Sequence, residues 1–189
     1  DGETNQVAAG AVGAGASFVK IDVGNDSAAV TETSALIGSN VYIGQSTGTI
    51  GSVSVTASSA ITAHAEANGI SAGIVGISAN FAFVDISSKI DASIGGGSRV
   101  KTTGGVNVAA TFTPRAYAET WGVSAGGVAV GASLADADVS STVTASASGI
   151  INAGSLTVNA THAVPGGSYN AKAETTSAGA GLVAVDATK

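Results

Sequence analysis

Apolar and polar residues alternate in short runs along this chain, and the runs recur. Val53-Ser54-Val55-Thr56-Ala57, Val106-Asn107-Val108-Ala109-Ala110 and Leu156-Thr157-Val158-Asn159-Ala160 are three versions of one phrase. Period-two alternation places Val53 and Val55 on one face of a strand and Ser54 and Thr56 on the other. The same pattern predicts strands over Phe18–Val23, Ala29–Thr31 and Val41–Ile43, then Ile61–Ala67, Ile74–Ser78, Phe81–Ile86 and Lys89–Ile94. Further on it predicts Val128–Val130, Ala137–Val139 and Thr142–Ala145. Gly24-Asn25-Asp26, Gly95-Gly96-Gly97 and Gly104-Gly105 read as turns. No segment sustains a 3.6-residue apolar period between caps, so no helix is predicted.

The recurrence has a fixed length. Asp85-Ile86-Ser87-Ser88 returns 53 residues later as Asp138-Val139-Ser140-Ser141. Glu66 is followed after 53 residues by Glu119, and Glu119 after 55 by Glu174. Ser71-Ala72-Gly73 comes back as Ser124-Ala125-Gly126 and again as Ser177-Ala178-Gly179. A period held this closely means one structural unit stacked on copies of itself. The copies run approximately over 8–57, 61–110, 116–160 and 169–189, the last cut short, and we read the whole as one segment of a longer protein. The expected fold class is all-β, a right-handed parallel β-helix (β-solenoid) in which each repeat supplies about three coils of about 18 residues. At the usual strand separation, ten or so coils would give a rod about 50 Å long. Pro114 and Pro165, each just ahead of a tyrosine (Tyr117, Tyr169), are expected in protruding loops rather than in a ladder.

Composition fits a thin, small-residue interior. Charged residues are 11 % of the 189, aromatics 4 %, and there are 27 Gly. The apolar content is mostly Ala, Val and Ile, side chains that suit pleated surfaces. With no Cys, disulfides and thiolate metal sites are excluded. The net charge of −6 disfavours nucleic acid and anionic lipid, both of which need a basic stripe. No run of about 18 apolar residues predicts a spanning helix.

The segments Ser124–Ser133, Thr142–Ser146 and Gly154–Ala160, with their counterparts one repeat upstream, resemble the repetitive β-helical shaft of large bacterial filamentous haemagglutinin-like adhesins, and within these the leukotoxin-type exoproteins. The resemblance spans nearly the whole chain. It implies export across the outer membrane, often through a partner barrel, and a role in attachment at the bacterial surface.

Motifs for chemistry are sparse. Gly69-Ile70-Ser71-Ala72-Gly73 and Gly122-Val123-Ser124-Ala125-Gly126 match a nucleophile-elbow pattern, but such an elbow needs a strand–turn–helix setting with a base and an acid. Both belong to the repeat. His64 and His162 hold non-equivalent positions and have no Cys or spaced His partner for zinc. Asp136 and Asp138 share a strand face that could meet Ca²⁺, yet the glycine-rich calcium-repeat signature is missing. Carboxylates on neighbouring coils can cleave polysaccharide, but one Trp (Trp121) and two Arg (Arg99, Arg115) leave little to hold a sugar chain. On a three-coil repeat, Glu66, Glu119 and Glu174 stand about 14 Å apart and barely repel. Thr111-Phe112-Thr113 and Thr142-Val143-Thr144 have ice-binding spacing without equivalent places. Asn25-Asp26-Ser27 and Asn159-Ala160-Thr161 are glycosylation acceptors only in a host that glycosylates. The expectation is therefore a secreted, non-enzymatic shaft or filament segment with no catalytic, cofactor or metal residues, self-associating end to end, with no nucleic-acid partner and no membrane insertion.

Overall fold

The computed structural model describes residues 1–24, 31–45, 50–166 and 169–189. The expected turn at Asn25-Asp26, the start of the strand at Ala29-Val30 and the acceptor Asn25-Asp26-Ser27 lie outside them. Thirteen strands make up the described chain, with no helix. They are β1 (Gly2–Ala9), β2 (Val12–Val23), β3 (Thr31–Ile37), β4 (Tyr42–Ile43), β5 (Val53–Ala72), β6 (Val75–Ile94) and β7 (Arg99–Lys101). Then follow β8 (Gly105–Ala125), β9 (Val128–Ala147), β10 (Ile150–Asn152), β11 (Ser155–His162), β12 (Ala171–Ala180) and β13 (Val183–Thr188).

Every strand pairing is parallel, and three sheets result. One runs β1-β5-β8-β11, with β12 also on β8; a second runs β13-β9-β6-β2, with β3 also on β6; a short third runs β10-β7-β4. The chain visits long sheet, long sheet and short sheet once per repeat, then begins the next layer. The register shows this directly: Val53 faces Val106, and Asp85 faces Asp138. The expected division of each repeat into three coils of about 18 residues does not hold. Residues pair with partners one full repeat away, 53 positions on between the middle layers and 50 to 63 elsewhere, so each repeat forms a single broad layer. The short strands predicted at Ile74–Ser78, Phe81–Ile86 and Lys89–Ile94 merge, from Val75 on, into one 20-residue strand, β6.

Alternation is kept along these strands. In β8 the even positions point inward and are buried, from Val106 through Phe112 to Ser124. β6 likewise buries Ala82, Val84, Ile86, Ile90, Ala92 and Ile94. Val100 of the short third sheet is buried with this core. Toward the turn joining the two long sheets the inward side chains shrink to Ala, Ser and Gly, with Asn80 among them. There a Cβ on Gly69 would stand 2.3 Å from Asn80 Oδ1, and one on Gly122 2.4 Å from Asn80 Nδ2. Asn80 is fully buried in this seam and accepts a hydrogen bond from the Ser17 hydroxyl at 2.7 Å.

The turns stack as closely as the strands. Gly73 N–H donates to Ala125 O at 3.0 Å and Gly126 N–H to Ala180 O at 2.9 Å, so the joining turns of successive layers are bonded to one another.

Pro114 is a second correction. It lies inside β8 and is fully buried, not in a loop. Ala116 N–H donates to Asn170 O and Ala163 N–H to Phe112 O, so even-numbered residues of β8 turn their backbone groups toward β11 and β12. At Pro114 that side is a gap: pairing with β11 ends at Phe112, and pairing with β12 begins at Ala116. Proline is tolerated because no ladder partner waits for its missing N–H.

Candidate ligand-binding face

One-layer repeats bring together residues that the sequence keeps 53 to 63 apart. On the outer surface of the β1-β5-β8-β12 sheet, Glu3 faces Glu66, Glu66 faces Glu119, and Glu119 faces Glu174. The expectation of carboxylates about 14 Å apart is overturned: they are neighbours at one strand spacing, about 4.8 Å between backbones. That lies within a Debye length, and like charges directly opposite on a sheet destabilise it.

Neighbouring donors relieve the column. Asn68 Nδ2 donates to Glu66 Oε1 at 2.6 Å, and Asn5 Nδ2 donates to Glu3. Tyr117 OH bonds Glu119 at 2.7 Å and also contacts Glu174. Lys172 Nζ lies 2.6 Å from Glu174. Glu66 and its neighbour Glu119 have only neutral donors. Glu66→Gln keeps an acceptor for Asn68 while removing one charge, so it should raise stability by a few tenths of a kcal/mol at low salt. Melting temperature in low and high salt checks this, with the gain shrinking as salt rises.

An aromatic row borders the column. His64 stacks on Tyr117 with ring centroids 4.8 Å apart, and Tyr169 lies 6.2 Å beyond. Lys172 sits over both tyrosine rings, and the Arg115 guanidinium is 4.9 Å from the Tyr169 ring centre. Tyr117 is pushed above its ordinary 10.0, first by burial and then by Glu174 and Glu119. Lys172 is raised above 10.5 by its bond to Glu174, and Glu174 is held below 4.5, first by Lys172 and then by Tyr117.

A carboxyl lowered by folding contributes stability above its unfolded value and loses it as pH falls through the folded one. A raised tyrosine or lysine contributes below its unfolded value and loses it as pH rises. The melting temperature should therefore hold level between these limits, falling below pH 4.5 and above pH 10.0. Tyr117→Phe should flatten the alkaline limb, as read from melting curves across pH.

Two positions along from the glutamates runs the column Asn5, Asn68, Trp121, Thr176. Here the copies diverge, and here the surface is concave. A depression of about 340 Å³ is lined by Asn5, Gln6, Glu66, Asn68, Glu119 and Trp121, with Val7 and Ile70 beside them. Asn68 also donates to Asn5 Oδ1 at 3.1 Å, so two bonds fix its amide.

The other sequence candidates disperse. Ser71 and Ser124 point inward from continuous strands and are fully buried, and Ser124 Oγ donates to Val130 O. His64 and His162 belong to separate stacks, the latter on Phe112. Asp136 and Asp138 do share the outer face of β9, with Asp138 beside Asp85 and Asp85 beside Asp22. Among the described residues, no three His, Asp or Glu are placed to hold a metal ion. Thr142 and Thr144 stand opposite Lys89 and Asp91, on a different sheet from Thr111 and Thr113. Asn159 donates to Thr161 Oγ1. Among the described residues, no helix is long and apolar enough to cross a membrane.

The Asn5–Asn68–Trp121 grouping was missed in the sequence. The signal that could have found two of the three is arithmetic: Asn68 and Trp121 are 53 residues apart, two beyond Glu66 and Glu119, whereas Asn5 lies 63 before Asn68 and off that period. Comparison with protein families, curated proteins and solved structures finds no match.

Proposed function

We propose that this chain is a stretch of right-handed parallel β-helix and serves as a shaft or filament segment of a secreted or surface-exposed bacterial adhesin or extracellular fibre. The observation that carries the reading is the register. Columns such as Val55, Val108 and Val158 place like residues on like residues over successive layers. A unit that pairs with its own copy can be added without limit, each addition lengthening the body by about 4.8 Å and leaving its cross-section unchanged. The role is then mechanical: the stack holds a binding surface away from the cell. Because each layer offers the next a matching ladder, a second copy is the natural end-to-end partner. Export through an outer-membrane partner accords with such a role.

The test is to insert one, two and four extra copies of residues 53–105 and measure particle dimensions by small-angle scattering and electron microscopy. The reading requires growth of about 4.8 Å per copy along one axis only. Growth in all directions, or separate beads per copy, would refute it.

A further inference from the structure

We propose that the depression beside Trp121 binds an uncharged pyranose unit of a glycan, with the indole as its stacking platform. This rests on the geometry of the outer face and not on the chain's being a shaft. The volume, about 340 Å³, is at the small end of ligand pockets, suited to a single ring. Trp121 is 40 % exposed although it sits on a strand paired on both sides. The C–H-rich face of a pyranose is slightly positive and meets the negative face of an indole. Around that platform the lining supplies what vicinal hydroxyls need: the carboxylates of Glu66 and Glu119 as acceptors and the amides of Asn5 and Asn68. Asn68 is already fixed by its bonds to Glu66 and Asn5, so little ordering remains to be done on binding.

The lining also sets the charge of the ligand. No Lys, Arg or His lines the depression, and two carboxylates do. A uronate, sulfate or phosphate would enter against like charge with no partner. The site thus selects neutral hexoses or N-acetylhexosamines. It also lies where the repeat departs from itself: the glutamate column is constant through four layers, while the neighbouring column reads Asn, Asn, Trp, Thr.

Trp121 is the only tryptophan, so its emission reports this site alone. The full chain would be titrated to millimolar concentration with neutral gluco-, manno- and galacto-oligosaccharides and N-acetylglucosamine oligomers, alongside heparin, polygalacturonate and spermidine. A saturable shift is expected with at least one neutral series and with none of the three charged probes. By calorimetry, Trp121→Ala should weaken that binding at least about tenfold, as removal of a central aromatic anchor does. Trp121→Phe should retain part of it. Asn68→Ala leaves the fluorophore in place and should also weaken the shift, which keeps the test open if the alanine variant at 121 fails to fold. No shift with any neutral series, a shift with a charged probe instead, or calorimetric affinity unchanged in Trp121→Ala would each overturn the proposal.

Discussion

Replacing Phe112 with alanine is expected to cost about 3–5 kcal/mol, the largest loss from any single side chain here. Its ring is the largest fully buried group in the described chain. It projects inward from β8, between Ser59 of the layer below and His162 of the layer above, whose ring lies parallel to it at 5.6 Å. The core it belongs to is built of Ala, Val and Ile held on long paired strands, which leaves little freedom to refill the space. The cavity therefore stays open, and the loss comprises both transfer and void. Urea unfolding followed by circular dichroism would show it as a lower midpoint at unchanged slope. Phe112→Leu, which keeps most of the volume, should recover much of the loss.

Gly126→Ala should be the second largest, and for the opposite reason. A Cβ there would stand 2.4 Å from Gly73 O, 3.1 Å from Ile74 O and 3.2 Å from Val128 O, all backbone. Gly73 and Gly181 meet the same obstruction from Gly10 O and Gly126 O at 2.3 Å each. Four successive turns, at Gly10, Gly73, Gly126 and Gly181, thus nest with no room for a methyl group between them. Backbone oxygens held by strands on either side cannot step aside as a flexible side chain would, so about 1–3 kcal/mol is expected. Gly96→Ala is the matched control: its Cβ would meet nothing within 4 Å, and the change should be near neutral. Equal losses at 96 and 126 would mean that helical or turn propensity, not nesting, sets the cost.

Those glycines also explain how far the sequence could be read. Period-two alternation fixed strand faces correctly, because burial on one side is the same demand in any sheet. The 53-residue spacing named the residues that stack between the two middle layers, from Glu66 on Glu119 to Asp85 on Asp138, but not the serines: Ser177 stands opposite Gly122, and Gly179 opposite Ser124. The number of layers per repeat was not legible, since the predicted strands are short and stop on either side of Gly69 and Gly122, while Gly76 falls inside one of them. In the structure all three glycines lie within long strands on the inward side, where the two sheets converge and no Cβ fits. Glycine as a spacer and glycine as a turn look alike in one dimension. Pro114 misled for a similar reason: the gap that admits it arises because the upper layer takes eight residues, 163–170, where β8 takes three, 113–115. The candidate site followed the layer count. With coils counted three to a repeat, Trp121 stands alone; with one, it stands beside Asn68 between two glutamates.

A layer that spends 53 residues on a single strand spacing has a consequence for a molecule under load. Peeling one such layer from the stack releases a thread roughly 180 Å long at the usual reach per residue, from a body only about 4.8 Å thick. Pulled from its two ends in an atomic-force or optical-trap experiment, this protein should yield in evenly spaced steps of that length. A tether made this way lengthens before it parts.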